Sequence, residues 1–198
     1  EIGAILCETA TQGGVCARVH TGDPSLYGAL REEIDILERH GIAWESIPGV
    51  TAACAAAAKA GISFTIPTQT QTLIISRMQG RTPMPEEESI HALARHKTSL
   101  AIYLSGKLCT ALQNELLMAG LTPETAILCA HRVGWPDEKL VWTNLQSLPR
   151  TVEKEHLERQ TVILVLPKED RKGEPSCLYS KAFSHSFRSE DTVPASTP

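Results

Sequence analysis

Val15-Cys16-Ala17-Arg18-Val19-His20-Thr21-Gly22-Asp23-Pro24-Ser25-Leu26-Tyr27-Gly28 decides how this chain is read. An alternating apolar run predicts a strand over Val15–His20, Gly22-Asp23-Pro24 breaks it, and Leu26 opens an amphipathic helix. Strand, turn and helix in that order place ligands just past the carboxyl end of a strand in α/β proteins. The only charge in the turn is an acid. A phosphate cradle needs bare backbone N–H groups and a Lys, and Asp23 would repel phosphate. The turn suits a ligand with hydroxyls, an amine or a cationic centre. The plain alternative is a tight connection and nothing more; no G-x-G-x-x-G dinucleotide fingerprint occurs.

Downstream, Leu26–His40 reads as a helix with Leu26, Leu30, Ile34 and Leu37 in one stripe, stopped by Gly41. Trp44–Ile47 reads as a short strand and Pro48-Gly49 as its break. Thr51–Ala60 is an alanine-rich helix with Thr51 as candidate cap. The Ile47–Ala53 stretch is a second strand–turn–helix junction, whose helix start offers N–H donors among small residues; close helix–sheet packing explains it equally simply. Upstream, Ile2, Ile5 and Leu6 place Glu1–Gln12 in a helix that begins mid-pattern.

After a linker over Ile62–Thr70 a second unit follows. The expected strands are Thr72–Ser76, Leu100–Leu104, Ala126–Ala130, an edge strand Leu140–Thr143, and Thr161–Leu166. The expected helices are Ser89–His96 with Ser89 as cap, Leu108–Ala119 closed by Gly120, and Val152–Arg159. Alternation of strands and helices predicts mainly parallel pairing with helices on both faces. Two loops at strand ends carry chemistry. Ser76–Pro83 holds Arg77 and Arg81, guanidiniums suited to bidentate capture of carboxylates. Ala130–Glu138 holds Arg132, Trp135 and Asp137, where an aromatic plane can lie on a flat ligand. Either is also readable as a solvated surface loop.

The chain has 198 residues, 42% hydrophobic and 21% charged, with a formal net charge of −4. That balance argues against nucleic acid, whose binders carry a basic face. No apolar run reaches the ~18 residues of a membrane span, and no secretory signal opens the chain. Six cysteines without a C-x-x-C spacing read as small buried apolar residues of a reducing cytosol. The histidines form no H-E-x-x-H, so no structural metal is expected. Nothing matches a G-x-S-x-G elbow or a Ser–His–Asp order.

In this order the pieces resemble the tetrapyrrole (corrin/porphyrin) methylases of cobalamin biosynthesis, and within them the precorrin-4 C11 branch. The resemblance is carried by His20–Gly28, Ile47–Thr51, Gln71–Ile74 with Ser76-Arg77, Gly80–Pro83 with Pro85-Glu86, Trp135–Glu138, Leu178-Tyr179 and Ala182–His185. It implies two α/β domains of mainly parallel mixed sheets, over 1–70 and 71–168; the polar composition of the tail over 169–198, with Ser, Thr and Pro dominant after Arg188, predicts that it is loose there. The resemblance also implies a homodimer with S-adenosyl-L-methionine in its cleft and a tetrapyrrole (corrinoid) substrate, while the cysteine usage predicts a cytoplasmic setting. That cofactor has the hydroxyls, the amine and the cationic centre that suit the Asp23 turn. By position, Gly22, Asp23, Thr51, Ala52 and Leu104 match the family's cofactor contacts, and Val133 and Thr161 match further ones. Arg77, Arg81 and Arg132 are candidates for the substrate's carboxylate arms, and no catalytic base is named. The family's opening Gly-x-Gly-Pro-Gly-Asp-Pro loop has no match, so the first domain is expected to be incomplete. A sister methylase acting at another macrocycle position, or a remnant that binds without turnover, is the alternative expectation.

Overall fold

A computed structural model describes residues 2–167. The resembling segments at Leu178-Tyr179 and Ala182–His185, Cys177 and the tail lie outside the described residues. The chain divides into two compact units, 1–56 and 57–198, a division inside a helix rather than at residue 70.

The first unit is built on helices α1 (Ile2–Thr11) and α2 (Leu30–Arg39) and the start of α3 (Ala52–Ala60). Gly3 lets α1 sit close on α2: a Cβ there would stand 2.8 Å from Ile36 Cδ1. Of the three apolar residues that define the α1 pattern, Leu6 is buried, while Ile2 and Ile5 are exposed. Helix α2 begins four residues later than the periodicity of Leu26 and Leu30 predicts, because Tyr27 and Ala29 take left-handed φ of 56° and 54°. A helix cannot propagate through such residues. Gly41, at φ 66°, closes α2 as expected.

The expected strands Val15–His20 and Trp44–Ile47 do not form: among the described residues no ladder reaches either segment. Alternation selects a face, but a strand also needs a neighbouring backbone to pair with. Val15 is 100% exposed and Val19 and Ile47 more than 70%.

The second unit holds the sheet: β1 (Leu73–Arg77), β2 (Ser99–Tyr103), β3 (Ala126–His131), β4 (Lys139–Asn144) and β5 (Thr161–Leu166), in the order β1-β2-β5-β3-β4. The expected mixed sheet is present, but parallel pairing does not predominate. Only β1 and β2 run parallel; β2–β5, β3–β5 and β3–β4 are antiparallel. Unbroken apolar runs such as Val162–Leu166 report burial on both faces, which a central antiparallel strand shares with a parallel one. β5 is central and buried throughout.

Alternate residues Leu100, Ile102, Ile127, Cys129, Ile163 and Val165 pack in one cluster with α4 (Ile90–Ala94), α5 (Cys109–Met118) and α6 (Leu148–Glu155). Ser89 caps α4 by accepting from Ala92 N, 3.2 Å away. Helix α6 lies four residues ahead of the expected Val152–Arg159. Pro149 occupies its first turn, where a missing N–H costs nothing, and His156 ends it at a left-handed φ of 57°. Five cysteines among the described residues are free, Cys109 and Cys129 buried. No helix of the described residues is long and apolar enough to cross a membrane.

Candidate functional site

Each unit gathers its own group of candidate residues. In the first, two turns are stapled together. Asp23 Oδ1 accepts from Ser25 N at 2.9 Å and from the Ser25 hydroxyl, and Oδ2 accepts from Gly49 N at 3.0 Å. The Ser25 hydroxyl, then the Gly49 and Ser25 amides, hold the Asp23 carboxyl below its usual range. The acid read from the sequence as a ligand group is thus first a brace between the Gly22 and Gly49 turns. The turns meet so closely that a Cβ on Gly49 would stand 2.1 Å from Gly22 O. Gly22 itself has φ 83° and faces Val50 and Thr51. Thr51 O accepts from Ala55 N at 3.0 Å, so Thr51 and Ala52 open α3 directly beside the staple.

A second brace was not foreseen from the sequence. Glu33 on α2 receives Arg18 Nε at 3.1 Å and lies 3.4 Å from His20 Nε2. Arg18 and His20 are two apart, the spacing that puts both on one side of the strand expected there, which is the signal that was available. Gly28 closes this end: a Cβ there would stand 2.4 Å from Pro24 O and 3.2 Å from His20 Nδ1. A depression of about 430 Å³ lined by Ser25, Tyr27, Leu30 and Ile34 adjoins the turn but includes neither Gly22 nor Asp23.

In the second unit the strand directions do the gathering. β1, β2 and β3 end, and β4 and β5 begin, at the same edge of the sheet. That edge therefore carries Arg77, Leu104, the 132–138 loop and Thr161. Leu104 is 72% exposed at a left-handed φ of 53°, an unfavourable backbone for a bulky residue. It is held there by Ser105, fully buried, whose Oγ donates to Tyr103 O at 2.6 Å and accepts from Met78 N at 2.8 Å.

The three arginines differ. Arg77 curls onto its own loop, donating to Met78 O at 3.2 Å, Pro83 O at 3.4 Å and Thr82 O at 3.5 Å. Arg132 pairs with Asp137 and lies over Trp135. Arg81 is exposed and makes no ion pair among the described residues. Val133 is half-buried, and Thr161 is buried with its hydroxyl donating to Arg159 O at 3.1 Å.

A mixed sheet whose strand ends gather chemistry at one edge, and a Gly-Asp-Pro turn stapled to a helix start, define an α/β ligand-binding enzyme class. Residues 1–149 match the model of the Tetrapyrrole (Corrin/Porphyrin) Methylases, and the chain belongs to that family.

Among its relatives is the cobalt-precorrin-4 C(11)-methyltransferase of Priestia megaterium, 38% identical over 192 residues, covering 95% of this chain and 74% of that protein. A solved structure of a cobalamin biosynthetic enzyme, cobalt precorrin-4 methyltransferase, has a TM-score of 0.81 and 38% identity, covering 84% of this chain and 70% of that one. A uroporphyrin-III C-methyltransferase from Thermus thermophilus, solved with S-adenyl homocysteine, shares the fold: TM-score 0.69, 23% identity, 83% of this chain and 68% of that one.

Proposed function

We propose that this protein is an S-adenosyl-L-methionine-dependent C-methyltransferase that methylates C11 of precorrin-4 or cobalt-precorrin-4. The observation that carries the reading is the Asp23–Gly49 staple at the opening of α3, in a chain whose relatives of 38% identity bear that activity in their names. The residues present fit the cofactor. An ionised carboxylate among backbone amides suits hydroxyls, an amine and a sulfonium. Ala52 and its small neighbours leave room for close approach, and Leu104 offers an apolar contact. Gly22, Asp23, Thr51 and Ala52 of the first unit, and Leu104, Val133 and Thr161 of the second, are the proposed contacts.

When bound, the cofactor supplies a methyl group already activated on its sulfonium. What remains for the protein is alignment, and holding reactants in near-attack geometry contributes on the order of 7–11 kcal/mol. Rigidity of the turns therefore matters more than a strong base. For the substrate, Arg81 is the proposed holder of a carboxylate arm, its guanidinium being unpaired among the described residues. Arg77 braces the 77–83 loop that carries it, through the Thr82 and Pro83 carbonyls.

Calorimetry with S-adenosyl-L-methionine, followed by mass spectrometry of the tetrapyrrole after incubation, tests the reading. Cofactor binding and a gain of one methyl group per macrocycle are expected. No cofactor binding and no mass gain would refute it. Arg81→Ala should raise KM for the tetrapyrrole and leave cofactor affinity alone.

A further inference from the structure

The 132–138 loop is tied down from three sides. Arg132 leaves β3 at a left-handed φ of 47°, and its carbonyl accepts from Trp135 N at 2.9 Å. Glu138 accepts from Gly134 N at 2.6 Å and pairs with Lys59 at 2.8 Å; the Gly134 amide, then Lys59, hold its carboxyl below the usual range. Asp137 pairs with Arg132. These ties leave Trp135 outward on a fixed platform. The Arg132 guanidinium carbon lies 4.2 Å from the centre of its ring. Arg132 Nε is buried without a hydrogen-bond partner, so the ring and Asp137 set where this cation sits.

Trp135 is nevertheless 44% exposed. Arg132 lies over one face of that ring. A large aromatic pinned in one orientation, with a cation over one face and 44% of its surface exposed, is an offered surface. It stands at the same sheet edge as Leu104 and Arg77.

We propose that Trp135 is a substrate-binding residue that stacks its open face on a conjugated part of the tetrapyrrole, with Arg132 and Asp137 as positioning residues behind it. This rests on the methyltransferase reading above and replaces the role expected of Arg132 from the sequence. Arg132, already paired with Asp137, serves the ring rather than a substrate carboxylate.

The test uses the whole chain and uroporphyrin III, a stable tetrapyrrole, titrated by its absorption band, with S-adenosyl-L-methionine calorimetry in parallel. Trp135→Ala should weaken uroporphyrin III binding about tenfold and abolish the band shift on binding. Trp135→Phe should stay within about threefold of the parent and keep the shift. Trp135→Leu, which keeps apolar bulk without a π face, should behave like Trp135→Ala and carries the test if the Ala variant does not fold. Cofactor affinity should be unchanged in all three. Parent-like uroporphyrin III binding by Trp135→Leu, together with weakened binding by Arg81→Ala, would overturn the stacking role and leave the functional reading standing. A parent protein that binds neither uroporphyrin III nor S-adenosyl-L-methionine would overturn both.

Discussion

Gly49→Ala should damage cofactor binding although Gly49 has no side chain of its own to offer the cofactor. The added Cβ would stand 2.1 Å from Gly22 O, 2.9 Å from Gly22 C and 3.4 Å from Asp23 Cα, all backbone. Real Cβ atoms essentially never come within 3.0 Å, so the two turns must part by about 0.9 Å. No flexible side chain can absorb this. The parting also stretches the bond from Gly49 N to Asp23 Oδ2, now 3.0 Å. A displacement near 1 Å in an aligned site costs up to about 100-fold in rate. Calorimetry should show S-adenosyl-L-methionine affinity down by tenfold or more, and turnover at saturating cofactor should fall as well. Gly80→Ala is the control, since a Cβ there meets nothing within 4 Å. If Gly49→Ala binds cofactor like the parent, the stapled turns do not form the cradle and the assignment of Gly22 and Asp23 fails.

Three further outcomes follow from the same geometry. Asp23→Asn should lose stability relative to the parent at neutral pH. The folded carboxyl sits below its ordinary 3.8, so its contribution is present above that value and fades as pH falls through the lower folded one; a stability gap between the two proteins that does not narrow as pH falls below 3.8 would contradict the brace. Leu104→Gly should relieve a left-handed leucine worth about 1–2 kcal/mol, less glycine's entropic penalty of about 0.5–1 kcal/mol. It should therefore melt no lower than the parent while binding cofactor more weakly; a clear drop in melting temperature with intact binding would make Leu104 structural. Amide exchange should be slowest in β2, β3 and β5, the strands buried along nearly their whole length; equal protection of Val15–His20 would show pairing that the segment lacks here.

How much was legible in the sequence varies with how local the cause is. Thr161–Leu166 is found at its expected bounds because six consecutive buried residues between a polar turn and a proline leave little alternative. Ser89 was readable as a cap because its partner, Ala92 N, is three residues away. Strand direction was not readable, since burial on both faces produces one pattern for either orientation. The start of α2 was missed because two non-glycine residues, Tyr27 and Ala29, take a backbone that composition does not announce. For the site, the Gly22-Asp23-Pro24 turn was legible as a turn, yet the role of Asp23 depends on Gly49, twenty-six positions later. The sheet edge that collects Arg77, Leu104, Arg132 and Thr161 follows only once the pairing is known.

The charged residues around the candidate site are mostly engaged in bracing. Asp23 holds two turns, Glu33 holds Arg18 and sits beside His20, Asp137 holds Arg132, and Arg77 holds its own loop. Engaged with their own turns, these groups stiffen the loops that sit beside Ala52, Leu104, Arg81 and Trp135. For a reaction whose methyl group arrives already activated, that division is sensible physical chemistry. A strong base would add little, whereas a loop that moved by an ångström would forfeit much of the alignment. Removing a brace and removing a presented group should therefore leave different signatures. Asp137→Asn should weaken tetrapyrrole binding only in so far as it frees the Trp135 ring, and Trp135→Leu should already have removed that effect. The two substitutions combined should then cost no more than Trp135→Leu alone. Additive losses in that double-mutant cycle would mean that Asp137 meets the substrate directly.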